Sequence, residues 1–111
     1  MIVYEHNHVF FVRDDLTEGM QERLAPNDWL KTWTHAEVVA GADSIVVHAA
    51  PVLHRVEIFK SRPIFYDPGN FIYNVPPVLT EIDEPMTWES VVANVQYHGE
   101  TCSRFRSDRL F

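Results

Sequence analysis

The run Ser44-Ile45-Val46-Val47-His48 constrains the fold of this chain more than any other feature. It is short, unbroken and rich in β-branched residues, the pattern of a strand buried on both faces inside a parallel sheet. Parallel pairing needs a crossover, and the residues before the run supply one. Pro26-Asn27-Asp28 offers N-cap candidates, Trp29, Trp33, Ala36 and Val39/Ala40 recur at helical spacing, and Gly41 suits the position just past a helix end. Upstream, Ile2-Val3-Tyr4 reads as a strand from its first residue. Strand, helix and strand with so long a connection predict a βαβ unit. The expected packed face of the helix is the one that carries Trp29 and Trp33.

Ligands of such sheets gather beyond the carboxyl ends of the strands. The first strand leads into Glu5-His6-Asn7-His8 and the second ends on His48, so strand periodicity alone predicts that His6, His8 and His48 meet at one sheet edge. Imidazole nitrogen is a ligand for Zn, Fe, Mn and Ni, and this edge is therefore a candidate metal site.

Residues 11–27 and 74–87 lack a clean period and read as loops, and after residue 48 the pattern changes. Arg55–Phe59 and Ile64–Tyr66 are expected to pair antiparallel through a Lys60–Pro63 turn. Asp67-Pro68-Gly69-Asn70-Phe71 forms a tight polar corner, in which Gly69 is expected to adopt a positive φ. Alternation from Val91 to Tyr97, a His98-Gly99-Glu100 turn and Thr101–Arg106 predict a terminal hairpin. The fold class is therefore α/β to α+β: a partial sandwich, with a βαβ unit followed by antiparallel strands and a C-terminal hairpin, in one domain over 1–111.

Net charge excludes one class of partner. At -7, with no cluster of Lys and Arg, the chain is not an electrostatic nucleic-acid binder. Arg104, Arg106 and Arg109 alternate with polar residues as a solvated strand face does. Cys102 alone forms no internal disulfide, and no His/Asp constellation marks it as a nucleophile. No apolar run reaches the roughly 20 residues that span a bilayer, and no basic leader precedes Ile2, so the expected location is cytoplasmic by default. His35 and His98 read as surface histidines.

The central stretch resembles the CapA family of poly-γ-glutamate capsule biosynthesis proteins, which is related to the calcineurin-like metallophosphoesterases. His48, Pro51, Leu53-His54, Val56-Glu57-Ile58, Lys60, Arg62-Pro63-Ile64-Phe65-Tyr66 and Gly69-Asn70-Phe71 carry the likeness, and Arg62 to Phe71 is its most specific part. The opening Val3-Tyr4-Glu5-His6-Asn7-His8 resembles the family's histidine-bearing strand end, and Glu89-Ser90-Val91 its closing hairpin.

The resemblance implies that His6 and His48 are ligands of a divalent metal (Mn, Zn or Fe), with His8 as a third donor. Many members carry a second histidine in the loop after the position of His48, where this chain reads Ala49-Ala50-Pro51. Asp67-Pro68 replaces the family's serine and leucine, and Asp67 can supply a carboxylate in compensation. Glu57 is placed either to orient a ligand histidine or to pair with Arg55 or Arg62. His54 is expected to pack near the site, and Gly69 and Asn70 to shape the loop that bears His48. Members are longer and carry most of their metal ligands in a first half that this sequence does not match. The expectation is thus a truncated, CapA-like, metallophosphoesterase-related protein that binds metal weakly and is inactive alone. The alternatives are an accessory module that completes a partner chain, or a non-functional fragment. An open sheet edge and the exposed patches expected at Trp29, Trp33 and Phe71 would favour self-association.

Overall fold

A computed structural model describes residues 1–7, 26–49, 53–69, 89–99 and 101–109. Its elements are β1 (Ile2–His6), α1 (Asp28–Val39), β2 (Ser44–His48), β3 (Val56–Phe59), β4 (Arg62–Phe65), β5 (Val91–His98) and β6 (Thr101–Arg109). The first four strands form one sheet in the order β1-β2-β4-β3, and β5 and β6 form a separate hairpin. The fold is α/β, as the sequence indicates. The expected loop at 11–27 as far as residue 25, the expected loop at 74–87, and His8, Asn70 and Phe71 fall outside the described residues.

β1 and β2 pair in parallel with Ile2 beside Ser44 and His6 beside His48. The central run behaves as its composition requires, with Ser44, Ile45 and Val47 buried. Leu30 and Val38 of α1 close over Ile45, Val47, Ile64 and Tyr66 to form the core, with Ala42 completing it and Val3 and Phe59 packed at its margin.

The packed arc of α1 differs from the expected one. Leu30, Thr34 and Val38 are its buried positions, whereas Trp29, Trp33 and Val39 are exposed, so the tryptophans form the exposed patch expected of them and not the packed face. The helix is rotated by about one residue, roughly 100°, from the arc that the tryptophans mark. Thr34 lies at the centre of the buried arc because its hydroxyl meets the Tyr66 hydroxyl at 3.2 Å. The helix end is as expected. Gly41, at φ +113°, donates to Val38 O and Ala42 donates to Glu37 O, which is the Schellman arrangement.

The β3–β4 turn is tighter than expected. Phe59 pairs with Arg62, so only Lys60 and Ser61 form the loop, and both have positive φ. Such two-residue loops match the right-handed twist of the flanking strands. Pro63 therefore lies inside β4, where a missing N–H would normally break a ladder. Here it does not. Tyr66 donates its N–H to Arg55 O on the β3 side, so by alternation the nitrogen of Pro63 faces β2, and the β2–β4 ladder begins only at Ile64.

The terminal hairpin is as expected, with β5 alternating between half-buried and exposed positions. Val91 donates to Pro68 O, Gly69 bridges to Ser90, and the Tyr97 hydroxyl donates to Asp43 O at 3.2 Å. These bonds fasten the hairpin to the polar corner and to the loop before β2.

Candidate functional site

Parallel pairing without stagger carries His6 and His48 to the same level at the carboxyl ends of β1 and β2. Alternation turns them to the face opposite α1. His6 Nδ1 and His48 Nε2 lie 3.0 Å apart in a hydrogen bond, and one of the two nitrogens must carry its proton. The rings meet edge to face with centroids 4.4 Å apart, and Tyr4 stacks on His48, also at 4.4 Å.

Two imidazole nitrogens bound to one tetrahedral ion at about 2.1 Å each stand about 3.4 Å apart. The observed spacing is within a few tenths of an ångström of that value, but the two nitrogens are directed at each other in their hydrogen bond, so both rings must turn to aim at one ion. Among the described residues no group of three His, Cys, Asp or Glu side chains gathers to complete a metal site.

Asp67, His54 and Gly69 converge at the corner that follows β4, next to the carboxyl end of β2. His54 donates its backbone N–H to Asp67 O at 2.9 Å, and the buried Asp67 accepts from the Gly69 N–H through Oδ1, also at 2.9 Å. Gly69 has φ +82°, the positive value expected of it. A Cβ there would lie 2.4 Å from Glu89 O, so the corner has no room for a side chain.

Glu57 turns to the helix face, away from the histidine pair. Its Oε1 accepts from His35 Nε2 at 2.9 Å and its Oε2 from the Tyr66 hydroxyl at 2.8 Å. The anticipated arginine partners are absent from this set, and Arg62 pairs with Asp43 instead. His35 is no simple surface residue: its ring stacks on Phe59 at 3.8 Å. Burial pushes the Glu57 carboxyl up, but the hydrogen bonds from Tyr66 and His35 outweigh it and hold Glu57 below the ordinary glutamate value. Burial pushes the Tyr66 hydroxyl up, and the neighbouring Glu57 adds to that.

A second acidic group escaped the sequence reading. Glu5, next to His6 but on the helix face, accepts from Trp33 Nε1–H at 2.6 Å. Burial, and then a shared hydrogen bond with Glu5, push the Glu37 carboxyl up to about 7. The available signal was the i, i+4 spacing of Trp33 and Glu37 opposite a strand residue of matching parity. Two carboxyls thus tie α1 to the sheet from its two sides, Glu5 on β1 and Glu57 on β3.

Among the described residues no helix is long and apolar enough to cross a membrane. The family model described as "Bacterial capsule synthesis protein PGA_cap" matches residues 16–75, which include His48, His54, Glu57, Asp67, Gly69 and Asn70 but not β1. The PGA biosynthesis protein CapA of Bacillus subtilis (strain 168) is 37% identical over 80 residues, 72% of this chain and 19% of that protein. Two uncharacterized proteins of Sinorhizobium fredii (strain NBRC 101917 / NGR234), y4sH and y4uA, are each 43% identical over 49 residues, 44% of this chain and 11% of theirs. The chain spans only 11% to 19% of the length of these curated relatives. With over half of its residues inside the family match, and its specific run from Arg62 to Gly69 on β4 and the corner, the chain belongs to the bacterial capsule synthesis protein family PGA_cap.

Proposed function

We propose that this chain is a CapA-like part of the machinery that makes capsule or poly-γ-glutamate, with His6 and His48 as two donors of a divalent-metal centre. The observation that carries the reading is the level pairing of the two rings, nitrogens 3.0 Å apart, at the carboxyl edge of a parallel sheet. His8 and Asp67 are further candidate donors, and donors from outside these 111 residues complete the centre. A metal held there would polarise a phosphoryl oxygen or activate a water, the chemistry of the metallophosphoesterases that the sequence resembles. Two imidazoles hold an ion only loosely, so the isolated chain is inactive by this reading. The alternative is an accessory module that completes the centre of a partner chain.

Calorimetric titration with Mn or Zn tests the proposal. At most one weak site is expected, diminished by His6→Ala and by His48→Ala, and weakened at acid pH because a histidine ligand must be deprotonated. No hydrolysis of a generic phosphodiester is expected. Binding that survives both substitutions would refute the ligand assignment, and turnover by the isolated chain would refute the need for donors beyond these residues.

A further inference from the structure

A third ring stands beside the two histidines. In the level register of β1 and β2, Tyr4 lies beside Val46, two residues before the His6–His48 pair and on the same face of the sheet. Its ring lies flat on the imidazole of His48, with planes 19° and centroids 4.4 Å apart, while His6 meets that imidazole edge to face at 68°. The ring torsion of a histidine is broad by itself. Here Tyr4 restricts the plane of the His48 ring, and the hydrogen bond to His6 directs its Nε2. Tyr4 is 67% exposed, so the core does not depend on its ring, and other strand-forming residues suit its place in β1.

Metal binding needs a different arrangement of the same rings. Two lone pairs aimed at one tetrahedral ion each turn by roughly 35° from the line that joins the two nitrogens. His6 Nδ1 and His48 Nε2 instead face each other, 3.0 Å apart. Whether His48 makes that turn by tilting or by sliding, its ring gives up overlap with Tyr4. We infer that Tyr4 holds the histidine pair closed and so sets its metal affinity: His48 becomes a donor only by leaving the stack. The inference rests on the reading of His6 and His48 as metal donors. An aromatic stack of this kind shifts an equilibrium by about twofold to tenfold. Tyr4 thus lowers the affinity of the site from outside the set of donors, as a positioning residue.

Calorimetric titration of the 111-residue chain with Zn tests this, at about pH 7.5, above the ordinary histidine pKa of about 6.5. Tyr4→Val and Tyr4→Thr remove the ring but keep a strand former. Each should bind Zn about twofold to tenfold more tightly than the unaltered chain, and Tyr4→Phe, which keeps the ring, should match it. Nitrogen-15 shifts of the two imidazoles give a reading without metal. In the unaltered chain and in Tyr4→Phe, one of the two facing nitrogens should register as protonated and the other as bare. In Tyr4→Val and Tyr4→Thr the shifts should move toward the averaged values of an unconstrained imidazole, with the unfolding midpoint little changed. Equal or weaker Zn binding by both ringless variants, or imidazole shifts that neither of them moves, would overturn the inference and leave the donor reading standing. Zn binding indifferent to His6→Ala and His48→Ala would refute the donor reading itself, and the inference with it.

Discussion

Replacing Gly69 with alanine should be among the most damaging single-methyl changes this fold can suffer. Two costs combine. A residue with a Cβ in the left-handed region costs about 1–2 kcal/mol, and Gly69 has φ +82°. The new Cβ would also lie 2.4 Å from Glu89 O and 3.0 Å from Ser90 Cα, both backbone atoms that no rotamer change can move aside. The corner and the start of β5 must separate, which threatens the Val91 N–H bond to Pro68 O, worth about 1 kcal/mol. With about 1–3 kcal/mol for the backbone shift that overpacking forces, this bond included, the total is about 2–5 kcal/mol, a large share of the roughly 5–15 kcal/mol that holds a domain together. Gly41 is the internal control, because its φ is +113° but nothing lies within 4 Å of the place its Cβ would take. Gly41→Ala should cost only the conformational part, about 1–2 kcal/mol. Urea unfolding separates the two: at a slope of about 2 kcal/mol/M, Gly69→Ala should lower the midpoint by about 2 M and Gly41→Ala by less than about 1 M. Equal shifts would refute the steric argument and leave only backbone strain.

Other substitutions test the two acidic ties of α1. Tyr66→Phe removes the hydroxyl that Glu57 accepts from and Thr34 meets, and should cost about 1–2 kcal/mol by urea unfolding. Glu57 is held below its ordinary value, so its contribution is present above the unfolded pKa and is lost as pH falls through the folded one; Glu57→Gln should flatten the acid limb of a melting-temperature profile. Glu37 has the opposite sign. Its pKa rises from 4.5 to about 7, so stability is fullest below 4.5 and declines as pH climbs through 7. Glu37→Gln, which mimics the protonated form, should abolish that decline between about pH 5 and 8. A profile unchanged by Glu37→Gln would dissolve the pairing with Glu5.

The strand framework was legible because it rests on patterns with few competing explanations. A β-branched run without alternation marks a central strand, and Ile45 and Val47 on its helix face are nearly inaccessible while Val46 on the other face is half-buried. The meeting of His6 and His48 follows from the same logic, since parallel strands that begin level end level. The positive φ of Gly69 was legible too, from the turn chemistry of Asp67-Pro68-Gly69. The helix face was not legible. Tryptophan dominates any hydrophobic count, yet Trp29 and Trp33 lie outside the core, and the buried arc passes through Thr34, a residue whose polarity argues against it. What makes Thr34 acceptable there is the hydroxyl of Tyr66, which lies 32 residues away and joins it only once α1 has crossed the sheet.

The same limit governs Glu57. Its neighbours in sequence, Arg55 and Arg62, were the natural partners, but Arg55 is exposed just ahead of β3 and Arg62 is claimed by Asp43. Glu57 was left to His35 and Tyr66, contributed by the helix above it and the end of the strand beside it. A carboxylate beneath a helix needs hydrogen bonds to offset its lost hydration, and their donors are chosen by packing rather than by spacing. Strand periodicity therefore reveals where the histidines of this sheet converge, while the roles of its acids depend on the rotation of one helix. That rotation places Thr34 and His35 toward β3 and β4 and Trp33 toward β1, and so decides which acid of the sheet each side of the helix meets.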